Sequence, residues 1–164
     1  QLLADTYSQL GYQAESGPWR NFYLTGAQDL LKKAVPYTSK LINDGVLSQM
    51  DMGTLLDYCA IQLNGEKAGG KEAVININFT DTKEKVMLML NNGVLNHRLG
   101  SQDKKADLTM EIAKMDFVKL FFGRTDLQTL LKTNKVRTTG NTQAMDVICS
   151  AYEPADPNFK IVLP

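Results

Sequence analysis

Few side chains in this sequence combine a reactive type with a spacing that could support chemistry. The single histidine, His97, stands beside Arg98 near the end of a predicted strand, and no nucleophile motif neighbours it. Asp107 and Glu111 share one face of another predicted strand, and two solvated carboxylates on an open sheet face explain them equally well. One histidine cannot build a zinc centre that needs several imidazoles. We therefore predict no catalytic residue, no metal site and no cofactor in this chain.

The glycine-rich segment 65–71, GEKAGGK, superficially resembles a phosphate-binding loop. Such a loop follows a strand, opens a helix and keeps a fixed spacing between its glycines and its lysine. Here a predicted helix precedes the segment and a predicted strand follows it. We interpret the segment as a flexible connection between these two elements.

The methionines and phenylalanines between residues 87 and 122 favour binding over catalysis. Met87 and Met89 share strand parity, so they point to the same face of a sheet. Flexible thioethers and aromatic rings suit a surface that adapts to alkyl chains of varying length. The residues predicted to contact a hydrophobic ligand are Met87, Met89, Met110, Met115, Phe117, Phe121 and Phe122. Plain filling of a hydrophobic core is the alternative, and the residues alone leave both interpretations open.

The composition is that of an ordinary globular protein and argues against several classes of partner. The chain has 164 residues, 43% of them hydrophobic, and its 18 basic and 18 acidic residues give no net charge. Nucleic acid or an acidic membrane surface is therefore not expected as the main partner. No apolar run approaches the length of a membrane span. Cys59 and Cys149 lie at apolar positions of predicted helices, which favours buried free thiols and leaves a disulfide open.

The first third of the chain is predicted to be helical. Apolar residues recur at helical spacing from Leu3 onwards, and Gly11 is well placed to end this first helix. A second helix is predicted to begin at Pro18 and to run towards Lys33. The segment 35–49 gives mixed signals and is interpreted as a connection with one short helix.

Beyond residue 50 the pattern predicts an α+β domain. An amphipathic helix starts at Met52 and is closed by Asn64-Gly65. Alternating apolar residues then predict strands at 75–79, 86–90, 94–99 and 108–112. We interpret these strands as a meander with a type I′ hairpin at Asn92-Gly93. Shorter signals predict helices at 115–122, 127–131 and 144–148, with a fifth strand at 136–139. This order predicts a five-stranded, mainly antiparallel sheet covered by helices on one face.

Two segments resemble parts of one known family. The segment 10–27, LGYQAESGPWRNFYLTGA, is dense in aromatic residues and closely resembles the end of the helical dimerisation domain of the zinc-dependent alkyl sulfatases of the metallo-β-lactamase superfamily. In that resemblance Trp19 and Arg20 belong to a structural junction, as a stacked or ion-paired buttress. The part from Met52 onwards resembles a sterol-carrier-protein-2-like domain. The matching features are the hairpin at Asn92-Gly93, Asp116-Phe117 with the closing Gly123, the segment 136–140 and the ending FKIVLP.

The resemblance implies a domain organisation and a place in a longer enzyme. Residues 1–47 would be the C-terminal helices of the dimerisation domain with a linker, and residues 48–164 the sterol-carrier-like domain, whose sheet and helices enclose an apolar tunnel. The catalytic metallo-β-lactamase-like domain would lie upstream in the same polypeptide. It would hold two zinc ions through a His-x-His-x-Asp-His motif that this chain lacks. The full-length enzyme would be a homodimer. The compartment stays open, with the resemblance favouring a periplasmic or secreted protein.

Three functional hypotheses follow. The first is a non-catalytic C-terminal region of an alkyl sulfatase, a sulfuric ester hydrolase, which binds or recruits the alkyl part of sulfate esters for the zinc domain. The second is a purely structural packing domain of the same enzyme. The third is a free-standing lipid or sterol carrier, which the segment 10–27 disfavours because it has no role in an isolated carrier. The identity and chain length of the ligand stay open.

Overall fold

The computed structural model describes residues 1–31 and 43–154. The described residues fall into two compact units, residues 1–31 in one and residues 43–154 in the other. We call them the helical unit and the α/β unit. The expectations for Lys33 and for the ending FKIVLP fall outside the described residues. Among the described helices, none has both the length and the hydropathy that a membrane span requires.

The described part of the helical unit is a pair of helices. Helix α1 comprises Leu2–Gln13 and helix α2 comprises Gly17–Leu30, with Pro18 in the first turn of α2 as predicted. The prediction that Gly11 ends the first helix is wrong. Gly11 is buried within α1, and a Cβ atom there would lie 2.7 Å from Cδ2 of Leu24. The missing side chain lets the two helices approach closely.

Aromatic contacts and one hydrogen bond hold the junction between α1 and α2. The ring of Tyr23 lies 6.0 Å from that of Tyr7 and 5.9 Å from that of Trp19, measured between centroids. The Arg20 guanidinium donates to the Ala14 carbonyl oxygen at 3.2 Å, in the connection between the helices. Trp19 and Arg20 thus contact structural partners in the described residues.

The α/β unit alternates helices and strands as the sequence pattern predicts. Its helices are α3 (Asp44–Gln49), α4 (Met52–Ile61), α5 (Gly65–Ala68), α6 (Lys114–Phe121), α7 (Leu127–Lys132) and α8 (Gln143–Ser150). Its strands are β1 (Ala73–Phe79), β2 (Lys85–Asn91), β3 (Val94–Leu99), β4 (Leu108–Ile112) and β5 (Val136–Gly140). The α+β class and the five-stranded sheet are confirmed. The hairpin is confirmed as well, since both Asn92 and Gly93 have the positive φ that a type I′ turn requires.

The glycine-rich segment contains a short helix that the sequence interpretation missed. The Asn64 side chain accepts hydrogen bonds from the backbone N–H groups of Glu66 and Lys67, at 2.9 and 3.1 Å. Asn64 therefore caps the start of α5 and does not close α4, which ends at Ile61. The prediction of a plain loop over this segment is wrong at its beginning.

The strand order corrects the predicted meander. The sheet runs β3-β2-β1-β4-β5, and β1 pairs with β4 in parallel, while the other neighbours are antiparallel. Only β1, β2 and β3 form a meander, so the sheet is mixed. After β3 the chain crosses the sheet and adds β4 on the far side of β1. Alternation in a sequence marks a strand but does not select its neighbours, which is why this crossing was not predicted.

Asparagines on β1 hold the crossing segment 100–107. The Asn76 side chain donates to the Asp103 carbonyl oxygen at 2.7 Å and accepts from the Asp103 N–H at 2.9 Å. Asn76 is only 6% exposed, so these bonds satisfy a buried amide. Asn78 accepts from the Gln102 amide at 2.6 Å. These two polar residues of β1 therefore fix the crossing segment.

The hydrophobic core lies on one face of the sheet, which we call the covered face. Alternate residues of every strand point to it, and α4 packs against β3, α7 against β5 and α8 against β1. The strand residues of this core are Ala73, Ile75, Ile77, Phe79, Val86, Leu88, Leu90, Leu95, Leu108, Met110, Ile112 and Val136. The opposite face, which we call the outer face, carries the crossing segment. Helices thus cover one face, as predicted.

Candidate ligand-binding surfaces

The sheet separates the residues that were predicted to contact a ligand. Met87 is paired with Asn76 and Met89 with Val74, so both methionines lie on the outer face. Met110 is paired with Ile77 and lies in the core of the covered face. A sheet is one layer thick, so the two sets cannot line a single cavity. Their even spacing in the sequence showed that Met87 and Met89 point to the same face of the sheet. It could not show to which face Met110 on β4 points.

The predicted residues on the covered face differ in burial. Met110, Phe117 and Phe121 have no solvent exposure. The Phe117 ring meets Phe79 edge-on at 5.6 Å and lies 6.2 Å from Phe121. Such edge-to-face packing is typical of a filled core. These side chains pack against protein atoms.

Half-buried rings lie at the margin of this core. Tyr58 of α4, Phe122 after α6 and Tyr152 after α8 form a cluster that we call the aromatic rim. The Phe122 ring lies 5.7 Å from Tyr58 and 5.3 Å from Tyr152. Phe122 also lies 5.3 Å from the buried Phe121, so the rim is continuous with the core. Met115, at the start of α6, is likewise half-buried and packs against the core.

The sequence interpretation missed the tyrosines of the rim, although a signal was present. Tyr58 follows Leu55 by three positions and Tyr152 follows Ile148 by four, which continues the apolar stripe of α4 and α8. Burial, followed by the neighbouring Tyr58, raises the pKa of the Tyr152 hydroxyl. The hydroxyl is therefore neutral at physiological pH.

A second surface is a groove on the outer face, which we call the outer groove. It has a volume of about 460 Å³ and is bordered by side chains of β1, β2 and β3. Its outward-facing lining residues are Glu72, Val74, Met89, Asn91, Asn96 and Arg98. The groove thus combines an apolar floor with amides and charges at its borders.

A third surface lies on the helical unit. Pro18, Trp19 and Phe22 line a shallow apolar depression of about 330 Å³. Trp19 is 59% exposed and Phe22 is 49% exposed. Aromatic side chains as exposed as these are typical of surfaces that contact another molecule.

The residues considered for catalysis have structural surroundings. His97 pairs with Leu88 and so faces the helices, where its Nδ1 lies 3.7 Å from a carboxylate oxygen of Asp57. Asp107 accepts a hydrogen bond from the Val74 N–H at 2.8 Å, which fixes the end of the crossing segment. Glu111 is exposed on the outer face. Within residues 1–31 and 43–154, no group of three or more His, Cys, Asp or Glu side chains could hold a metal ion.

The cysteines are free thiols. Burial raises the pKa of both Cys59 and Cys149 to about 12, so both are protonated at neutral pH. Cys149 lies with its Sγ 3.7 Å from the Leu120 carbonyl oxygen. A protonated thiol is a poor nucleophile, so both the buried Cys59 and the half-buried Cys149 act as small apolar side chains.

The described residues form a mixed sheet with a filled apolar face and, earlier in the chain, a helical pair. Comparison with protein families identifies the family of this chain. The alkyl sulfatase C-terminal family matches residues 40–164, and the alkyl sulfatase dimerisation family matches residues 1–33. The chain therefore belongs to the family of alkyl sulfatase C-terminal domains, which confirms the resemblance seen in the sequence.

Known relatives agree with this assignment. A linear primary-alkylsulfatase from Pseudomonas sp is 37% identical over 99% of this chain and 24% of its own length. The alkyl/aryl-sulfatase BDS1 from Saccharomyces cerevisiae is 30% identical over 100% of this chain and 25% of its own length. The solved structure of a stereoselective inverting sec-alkylsulfatase from Pseudomonas sp. matches with a TM-score of 0.78 and 33% identity, over 97% of this chain and 25% of that one. The chain thus spans about a quarter of the length of these relatives.

Proposed function

We propose that this chain is the non-catalytic C-terminal region of an alkylsulfatase, and that its α/β unit binds the alkyl part of sulfate-ester substrates at the aromatic rim. The family assignment supports the first part, because the relatives that the chain matches are alkylsulfatases. The second part rests on one observation: the half-buried rings of the aromatic rim lie at a margin that is continuous with the hydrophobic core. Met115 precedes Phe122 by seven residues, which places it about two turns away along the same face of α6.

The rim has the chemistry that an alkyl chain requires. Tyr58, Phe122 and Tyr152 present ring faces, and tyrosine keeps a polar hydroxyl that can stay in contact with water. Burial contributes about 0.8 kcal/mol per methylene, so a chain of about ten carbons gains at most ~8 kcal/mol. This corresponds to roughly micromolar affinity before the cost of association is subtracted. Such binding raises the local concentration of substrate and contributes nothing to cleavage of the ester bond.

The catalytic chemistry belongs to the rest of the proposed enzyme. As the family resemblance implies, an upstream metallo-β-lactamase-like domain holds two zinc ions and hydrolyses the ester with a zinc-activated water. The proposed full-length enzyme is a homodimer. The match of residues 1–33 to the dimerisation family supports this, as does the exposed apolar surface at Trp19 and Phe22.

Alkyl binding can be tested on this chain by NMR of its methionine methyl groups. Addition of decan-1-ol is expected to shift the Met115 resonance saturably, and Phe122→Ala is expected to weaken binding about five- to tenfold because an apolar wall is lost. Phe122→Leu keeps most of that apolar area and should restore most of the affinity. Phe22→Ala, which removes an exposed phenylalanine of the helical unit, is the matched control and should leave decan-1-ol binding unchanged.

The same samples can contradict the proposal. An unshifted Met115 resonance at saturating decan-1-ol would exclude alkyl binding at the rim. A purely structural packing role would then remain, and the complete burial of Met110, Phe117 and Phe121 favours that second candidate. Hydrolysis of decyl sulfate by this chain with added zinc would contradict the non-catalytic assignment. An unshifted resonance of the buried Met110 in Phe122→Ala verifies that the variant is folded.

A further inference from the structure

The outer groove is amphipathic, and its charges are separated. On the outer face, residues of neighbouring strands form rows: Val74 with Met89 and Asn96, and Asn76 with Met87 and Arg98. Glu72 directly precedes β1, two positions before Val74. Rows lie about 7 Å apart along the strands, so Arg98 and Glu72 are separated by roughly 13 Å along them and ~10 Å across them. Arg98 therefore stands at one corner of the groove and Glu72 at the opposite corner, with Met89 and Val74 between them.

Arg98 has no partner within its own chain among the described residues. None of them accepts a hydrogen bond from its guanidinium or forms an ion pair with it. The side chain is exposed, and its row neighbours Met87 and Asn76 carry no charge. The Asn76 amide is already bonded to the crossing segment. The guanidinium is thus available to an anion from solution.

We propose that the outer groove binds an anionic amphiphile, with an oxyanion head group on Arg98 and an alkyl chain over Met89 and Val74. An intact alkyl sulfate ester is the ligand of this chemistry, and that choice rests on the proposed function. A guanidinium presents parallel N–H donors that match two oxygens of a sulfate. The volume of about 460 Å³ lies in the range of about 300–1,000 Å³ that is typical of small-molecule sites.

The outer groove and the aromatic rim should select different ligands. Arg124, whose charge acts on Tyr152 of the rim, is paired with the Asp44 carboxylate, so the rim is expected to accept a neutral alcohol and a sulfate ester about equally. The outer groove offers a cation, so it should prefer the ester to the alcohol released from it. A surface with this preference would retain substrate and release product.

The test is a titration of the 164-residue chain with decyl sulfate, below its micelle concentration, and with decan-1-ol. Methyl NMR reports on the two sites separately, through Met89 for the outer groove and Met115 for the rim. Decyl sulfate is expected to shift Met89 saturably and to bind there at least fivefold more tightly than decan-1-ol. Arg98→Gln should weaken decyl sulfate binding at Met89 about five- to tenfold and leave the decan-1-ol affinity unchanged.

The matched control is Arg137→Gln, which removes the same charge from the same face. Arg137 lies on β5, at the opposite edge of the sheet, and is paired with Glu111. This variant should bind decyl sulfate like the wild type. Equal weakening by both substitutions would overturn the proposal, because it would show attraction to net charge and no specific site.

Other outcomes separate this proposal from the proposed function. A shift of Met115 without any shift of Met89 would overturn the outer groove and leave alkyl binding at the rim standing. A shift of Met89 without one of Met115 would support the outer groove while contradicting the rim. Dependence of the Met89 resonance on protein concentration without ligand would show that a second copy of the chain fills the groove, which also overturns the proposal.

Discussion

The covered and outer faces of the sheet are built from alternate residues of the same strands, yet they are governed by different interactions. On the covered face the inward residues of β1, β2 and β4 are all apolar, and the burial of their apolar area stabilises the fold. On the outer face Asn76 makes specific hydrogen bonds, Met89 is half-buried and Arg98 is exposed. Substitutions on the covered face should therefore change the stability of the whole fold. Substitutions on the outer face should change the attachment of the crossing segment or the binding of a ligand.

The largest expected effect comes from the same substitution made on each face. Met110→Ala removes a fully buried side chain and should lower the free energy of unfolding by about 2–5 kcal/mol. Met89→Ala removes a half-buried one and should cost about 1 kcal/mol or less. Urea unfolding followed by circular dichroism measures both. An equal loss of unfolding free energy in the two variants would contradict the difference proposed between the faces.

Substitutions of Asn76 and Asn78 test which side chain of β1 holds the crossing segment in place. Asn76→Ala loses both hydrogen bonds between the buried Asn76 amide and the Asp103 backbone, which should cost about 1–3 kcal/mol. Asn78→Ala loses one exposed side-chain contact to Gln102 and should cost about 0.5 kcal/mol or less. Limited proteolysis should then cut the segment 100–107 faster in Asn76→Ala only. Unchanged cleavage would mean that other contacts hold the crossover.

The smallest expected effect concerns a cap on the covered face. Asp126 caps α7, and hydrogen bonds from the Thr129 hydroxyl and backbone N–H, at 2.7 and 2.8 Å, lower its carboxyl pKa below the ordinary 3.8. A lowered folded pKa stabilises the protein above pH 3.8, and this contribution is lost as the pH falls through the folded pKa.

Asp126→Asn keeps a capping oxygen but cannot titrate, so it should be less stable than the wild type at neutral pH and equal to it in acid. Urea unfolding across the acidic range measures this difference. Thr129→Val should move the carboxyl pKa back towards its ordinary value in an NMR titration. A stability difference that persists below the folded pKa would show that the cap acts through shape and not through charge.

The sequence predicted local features of the fold better than the arrangement of the candidate sites. Local signals located the hairpin at Asn92-Gly93, the helix predicted at 127–131 and the end of α6 before Gly123, because each depends on neighbouring residues alone. They failed at Gly11, whose role is set by Leu24 on another helix. They also could not show that Met87 and Met110 lie on opposite faces, because strand order decides that relation.

By itself the sequence determined most of the segments that become helices and strands, since periodicity and turn residues act over a few positions. The sequence also determined membership of the alkyl sulfatase family, because a family is recognised from the order of its residues. Tertiary structure alone decided that β4 lies beside β1 and that Arg98, which has no partner among the described residues, borders an apolar groove. Those relations join residues far apart in the chain, and only the hydrogen bonds and packing of the folded sheet bring them together.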